Sequence, residues 1–354
     1  MADNPPITIR RVDCVQLLRA IAAIAVVAHH IPIFGNGAWG VDLFFIISGF
    51  IMCYVTEASG EHFLAKRVIR VVPLYWLGTF GVFLIALVAP RLLNNTTASP
   101  LDLVKSLFFI PFMKGSEVHP VMFLGWTLNY EMLFYVLFAI SMKVSHRHRA
   151  GICSGLICAI VLLGSLAKPA STPMKFWTNS ITIEFVLGMG CYYVWKMSAH
   201  TVAKNPMSPS RFANLLVGIA FLACMPLLQS LIHCNMHSIE YGIFAAFGFH
   251  FTLRGLTDVK LPRPMVLLGD ASYSLYLFHP YLIQGIIKAC GFLLVSNIYS
   301  NIFAVTIIIF CCLISLLSYS FIEKPLTNLL RGKCIRNKIS PMVSDKCVRV
   351  ENNR

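Results

Sequence analysis

The sequence predicts an all-α integral membrane protein, a bundle of about ten transmembrane helices with both the N-terminus and the C-terminus in the cytoplasm. Three observations predict it. The 354 residues are 57% hydrophobic and only 12% charged, with a mean hydropathy of +0.72, whereas about a quarter of a soluble domain is charged. The apolar residues gather into runs of about 17 to 25, the length of helix that crosses hydrocarbon. The lysines and arginines gather in the segments between alternate runs.

Ten such runs occur, roughly at 14–34, 41–57, 72–90, 121–142, 150–167, 176–197, 213–231, 238–254, 265–289 and 302–322. The segment LDLVKSLFFIPFM, residues 101–113, is too short to span and reads as an interfacial helix. With the N-terminus inside, 22 of the 29 lysines and arginines fall on the cytoplasmic side and 6 on the other, and Arg19 lies within the first run. This is the positive-inside pattern. It accounts for the net charge of +14 without a nucleic-acid partner. Residues 1–322 read as one polytopic membrane domain and 323–354 as a basic cytoplasmic tail at the lipid surface. The first run is long enough to span and others follow it, so it reads as a span rather than a removable signal. No internal repeat is visible. The twelve cysteines lie mostly inside apolar runs, without CxxC or Cys/His spacing, so they read as small packing residues and no metal site is expected.

An ionisable side chain in hydrocarbon costs roughly 2.5 to 3.5 kcal/mol even on the lenient insertion scale. Those inside the runs are Arg19, His29, His30, Glu131, Glu184, His250, Asp270 and His279, with Asp42 at the end of the second run. Arg19 and His30 are eleven residues apart, which on a helix is three turns plus roughly 20° and about 16 Å. They share a face without touching, as if something long lay along it. His29 points about 100° away. Arg19 could instead snorkel to the inner headgroups, and His30 could be a hydrogen-bond bridge between helices.

The loop GNGAWG forces a hairpin that brings Asp42 near the depth of His30. There Asp42 either orients the imidazole or caps its own helix. In HFLAKRVIRVVPLYW, Lys66, Arg67 and Arg70 sit at a membrane edge. Arg67 and Arg70 share a helical face and suit bidentate phosphate binding, or else serve as topological anchors. GWTLNYEMLFY sets Glu131 near mid-bilayer beside Trp126 and Tyr130, and LGDASYSLYLFHP sets His279 before Pro280, where a kink is expected. Glu184 and His250 each stand alone in a run and are read as structural.

These blocks, QLLRAIAAIAVVAHH, GVDLFFIISGFIM, FLAKRVIRVVPLYW, WTLNYEMLFY, SYSLYLFHP and the closing IEKPL, resemble in this order the membrane-bound acyltransferase 3 family, and within it the exopolysaccharide-type O-acetyltransferases. The resemblance implies a multi-pass protein of the bacterial cytoplasmic (inner) membrane. It would move an acetyl or other short acyl group from cytoplasmic acyl-coenzyme A to a hydroxyl of an envelope or extracellular polysaccharide, or of a lipid-linked oligosaccharide. It also implies that His30, in the Arg-x10-His pattern, is catalytic and that Arg67 and Arg70 serve the donor. Acyl-coenzyme A enters as a substrate, with no permanently bound cofactor, and membrane lipid surrounds the chain. Some members of the family it resembles carry an additional extracytoplasmic hydrolase-like domain; here the chain ends soon after its tenth run, so the membrane domain or a partner would complete the transfer. A homodimer stays open.

On this reading neutral His30 is the general base for the acceptor hydroxyl, Glu131 or Asp42 orients it, and Arg19, Lys66, Arg67 and Arg70 line the donor path. His29, His279, Trp126 and Tyr130 are further pocket candidates. An acyl-histidine relay is the other chemical route. The rival class is a proton-coupled transporter or flippase of a glycan intermediate, which intramembrane His, Glu and Asp would also suit.

Overall fold

The computed structural model describes residues 12–93, 96, 98–115, 117–198, 208–231, 239–290 and 297–332. In chain order, helices α1 (Asp13–His29), α2 (Gly40–Val55) and α3 (Phe63–Val88) are followed by the short α4 (Pro100–Leu107). A two-residue hairpin, β1 (Met113–Lys114) with β2 (Glu117–Val118), turns at Gly115, whose φ of +66° suits glycine. Then come α5 (Gly125–Val144), α6 (Arg149–Ala167), the short α7 (Thr172–Trp177), α8 (Ile183–Ser198), α9 (Pro209–Leu231), α10 (Ile239–Leu256), the short α11 (Arg263–Asp270), α12 (Ser272–Cys290) and α13 (Asn297–Ser318).

Each of the ten predicted runs carries one long helix. Four stretches, Phe63–Val88, Arg149–Ala167, Pro209–Leu228 and Asn301–Gly332, are long and apolar enough to cross a membrane, and Gly40–Val55 is a shorter apolar helix. Large apolar side chains cover the outer faces, among them Leu84, Leu87 and Val88 on α3, Leu162, Leu163 and Leu166 on α6, and Ile309 and Leu313 on α13. Surface of that kind belongs in lipid, where helices satisfy their own backbone.

The boundaries differ from the sequence reading where local chemistry intervenes. The first helix stops at His29, five residues short of the apolar run, because Pro32 disfavours helix for the residue before it and Gly35 then turns with a φ of +55°. The third helix starts at Phe63, nine residues early, so Lys66, Arg67 and Arg70 ride on its first two turns. The run 265–289 breaks at Ala271 into α11 and α12. The run 176–197 is interrupted by a turn in which the Asn179 side chain accepts a hydrogen bond from the Ile181 N–H. The last helix widens into one π-turn at Tyr319–Glu323 and continues to residue 332. Of the predicted tail, residues 333–354 lie outside the described residues.

Small residues bring the central helices together. A Cβ on Gly40 would overlap the Ala22 carbonyl of α1, and one on Gly188 of α8 would overlap the Ile46 carbonyl of α2. Close backbone approach is how apolar helices associate where no hydrophobic drive exists between them. At one end of α2, buried Arg149 donates to the Thr56 hydroxyl (2.8 Å), the Cys53 carbonyl (3.1 Å) and the His146 carbonyl (2.7 Å). α1 lies at the centre, packed against α2, α11 and α12.

Candidate functional site

α1, α2, α3, α5 and α12 border a partly open cavity, and Arg19, Arg67, Arg70 and Glu131 all line it. Arg67 and Arg70 reach it from one face of α3, three residues apart. The Ser48 hydroxyl donates to Glu131 Oε1 at 3.3 Å and the Tyr135 hydroxyl donates to the same oxygen. Glu323, buried on the π-turn, accepts from the Ser274 hydroxyl at 2.7 Å and faces both Arg19 and Arg70. Three guanidinium groups thus meet two carboxylates, and Arg19 and Arg70 repel each other. The Arg67 Nε–H has no hydrogen-bond partner among the described residues although it is buried. Such a surplus of positive charge in a walled hollow draws anions.

His30 occupies a second place. It forms the C-cap of α1, and its Nδ1 lies 2.8 Å from the Val26 carbonyl oxygen and 3.2 Å from Nε2 of His279. His279 is fully buried, and its own Nδ1 lies 2.9 Å from the Leu275 carbonyl oxygen. A carbonyl can only accept, so each Nδ1 carries a proton in the neutral rings. His279 Nε2 is then a lone-pair acceptor for the His30 Nδ1–H, which it shares with Val26. The tautomer leaves His30 Nε2 unprotonated. This is the arrangement of an oriented general base.

His30 lines a hollow of about 1060 Å³ with Phe123, Tyr281, Gln284 and Lys288. A neighbouring hollow of about 870 Å³ shares Thr96 and Phe123 with it and adds Lys114, Glu117 and His119. Burial pushes the Lys114 ammonium below its usual range.

Of the sequence candidates, Arg19, Arg67, Arg70 and Glu131 come together, and His30 pairs with His279. The orienting contacts differ from the expectation. The groups that hydrogen-bond the His30 ring are Val26 and His279, while Glu131 belongs to the arginine cavity because α5 begins only at Gly125, two turns before it. Asp42 is buried facing Glu184. Lys66 is exposed and lines neither cavity. His29 Nδ1 donates to the Gly35 carbonyl at 2.6 Å, tying the turn after α1. Tyr130 stacks on Phe176 with ring centroids 3.9 Å apart, and Trp126 sits edge-on to Tyr130 at 6.2 Å; both belong to packing beside α7. Ser48, Tyr135, Tyr276 and Glu323 join the site without having been singled out. Glu323 had a signal, a carboxylate in IEKPL directly after an apolar run. Among the described residues no group of His, Cys, Asp or Glu is placed to hold a metal ion.

Residues 12–321 match the acyltransferase domain family. The chain belongs to this family. It is 35% identical over 313 residues to the exopolysaccharide production protein ExoZ of Rhizobium meliloti (strain 1021), covering 87% of this chain and 93% of that one. A candidate peptidoglycan O-acetyltransferase, YrhL of Bacillus subtilis (strain 168), is 26% identical across 87% of this chain and 54% of its own length. The peptidoglycan O-acetyltransferase OatA of Listeria monocytogenes is 24% identical across 89% of this chain and 56% of its own. The chain therefore spans about half the length of these last two acyltransferase relatives. No solved structure matches it.

Proposed function

We propose that this membrane acyltransferase moves an acetyl or other short acyl group from cytoplasmic acyl-coenzyme A to a hydroxyl of a cell-envelope or extracellular polysaccharide, with the donor bound at the arginine cavity and the acceptor at His30. One observation carries the reading: an anion-drawing cavity and an oriented neutral histidine stand on the same helix, eleven residues and roughly 16 Å apart along its axis. Coenzyme A has the matching shape, a polyphosphate head with a thin arm ending in the thioester.

The ten long helices span the bacterial inner membrane with both termini in the cytoplasm, as the lysine and arginine distribution favours. The arginine cavity then opens inward and the His30 hollow outward. Arg67 and Arg70 hold phosphates, for which guanidinium forks are suited. Arg19 neutralises the donor further along and, always protonated, takes no part in proton transfer. Glu131, held by Ser48 and Tyr135, offsets part of the guanidinium charge.

The acceptor hydroxyl lies in the outer hollow, a free or lipid-linked glycan resting on Phe123 and Tyr281. His30 Nε2 takes the hydroxyl proton as the oxygen attacks the thioester carbon. The imidazolium so formed keeps its Nδ1–H on Val26 and His279. The carbon–sulfur bond breaks and the imidazolium returns its proton to the departing thiolate, so the enzyme ends as it began. The test uses membranes from cells that express the chain, incubated with acetyl-coenzyme A labelled in the acetyl group. Ester-linked label in glycan supports the reading, and proton-driven glycan flux without label would replace it with a transporter.

A further inference from the structure

Two buried hydroxyl groups meet where α5 and α12 carry Glu131 and His279. Thr127 and Tyr276 both line the arginine cavity, both are buried, and their side-chain oxygens lie 2.8 Å apart. The Thr127 hydroxyl donates to the Leu124 carbonyl at 3.1 Å, so its proton is spoken for and Tyr276 is the donor of the pair. Phe44 packs edge-on against the Tyr276 ring, with centroids 5.6 Å apart. Thr127 stands one turn from Glu131 on α5, and Tyr276 stands three residues before His279 on α12. This latch is therefore one helical turn from Glu131 on one side and one turn from His279 on the other, roughly 5 to 6 Å in each direction. The Tyr276 and His279 rings have centroids 6.4 Å apart.

We propose that Tyr276 is a further catalytic residue: its hydroxyl rests on Thr127 when the donor is absent, and moves to the thioester carbonyl oxygen when the pantetheine arm passes between them. This rests on the acyl-transfer reading above. As the acceptor oxygen bonds to the carbonyl carbon, the carbonyl electron pair moves to oxygen, and the Tyr276 O–H holds that oxyanion by hydrogen bonding without giving up its proton. The pair then returns to re-form the carbonyl as the carbon–sulfur bond breaks, and the thiolate leaves with the proton from His30. The apolar wall of Phe44 keeps water from competing, which raises the worth of a single fixed donor. Among the other described O–H donors lining the arginine cavity, Tyr135 and Ser48 are engaged by Glu131, the Tyr273 hydroxyl donates to the Val71 carbonyl at 2.8 Å, and Ser272 stands two turns from His279, a turn further than Tyr276.

The experiment compares wild type, Tyr276→Phe, Thr127→Val and His30→Ala as full chains in membranes. It reads transfer of labelled acetyl from acetyl-coenzyme A to glycan, release of free coenzyme A after glycan is removed, and binding of coenzyme A. Tyr276→Phe keeps the ring and its packing, so coenzyme A binding stays within twofold while the transfer rate falls about 100-fold, the loss typical of one oxyanion donor. Thr127→Val keeps the tyrosine hydroxyl but removes its resting partner, so release of coenzyme A without glycan rises several-fold. Transfer by Tyr276→Phe within threefold of wild type overturns the catalytic role, as does a loss confined to coenzyme A affinity. Unchanged release in Thr127→Val overturns the latch. If instead wild type consumes no acetyl-coenzyme A, or His30→Ala transfers as well as wild type, the acyl-transfer reading itself fails and takes the proposal with it.

Discussion

Replacing His279 by leucine isolates the contact that orients the base. The side chain is fully buried and its Nε2 accepts the His30 Nδ1–H at 3.2 Å. Leucine fills nearly the same space, so the change removes the acceptor and little packing. In the resting state Val26 still holds the Nδ1–H at 2.8 Å, and the loss is small. When His30 becomes imidazolium the same bond is charge-assisted, and its loss costs about 1.5 to 3 kcal/mol. At 1.36 kcal/mol per factor of ten, that is a fall of about 10- to 150-fold in kcat. The donor cavity is untouched, so KM for acetyl-coenzyme A stays near its wild-type value. His279→Gln supplies a carboxamide oxygen near the position of Nε2 and recovers part of the rate. Steady-state acetyl transfer in membranes, with protein amount set by immunoblot, reads both variants against wild type. A kcat for His279→Leu within twofold of wild type refutes the reasoning, and so does a glutamine variant no better than leucine.

Further outcomes follow from the same geometry. His30→Ala abolishes acetyl transfer to glycan with unchanged protein abundance, measured by ester-linked acetate in surface polysaccharide. Reversing charge with Arg67→Glu and Arg70→Glu weakens coenzyme A binding at least 100-fold, since two charge-assisted contacts of about 1.5 to 3 kcal/mol each are lost; calorimetry that finds equal affinity returns the pair to a topological role. Arg149→Leu removes the buried guanidinium donors from the Thr56 hydroxyl and the Cys53 carbonyl and destabilises the fold by about 1 to 3 kcal/mol, seen as a lower melting temperature in detergent with coenzyme A affinity retained by the folded fraction. Gly188→Val forces α8 away from the Ile46 carbonyl at about 1 to 3 kcal/mol, and a melting temperature equal to wild type would show that the helices have room to part.

Much of this protein is legible in one dimension. The apolar runs located helices, four of them in stretches long and apolar enough to cross a membrane, because the length that crosses hydrocarbon and the need to satisfy backbone groups within one segment are properties of a segment alone. The shared face of Arg19 and His30 is equally local, since helical pitch relates them without any partner. Arg67 and Arg70 stood out because charge beside an apolar run has few uses.

Tertiary structure decided the rest, through contacts between segments far apart in the chain. Glu131 belongs with the arginines rather than with His30 because α5 begins at Gly125 and runs beside the first turns of α3, a depth that hydropathy does not encode. His279 meets His30 across 249 positions, and Tyr276 meets Thr127 across 149, pairings set by how α12 packs on α1 and α5. Glu323 fell on the far side of a boundary drawn by hydropathy, yet the π-turn carries it into the bundle beside Arg19 and Arg70. Burial cost marks which polar residues in lipid must have partners; only the packing of helices selects which partners they are.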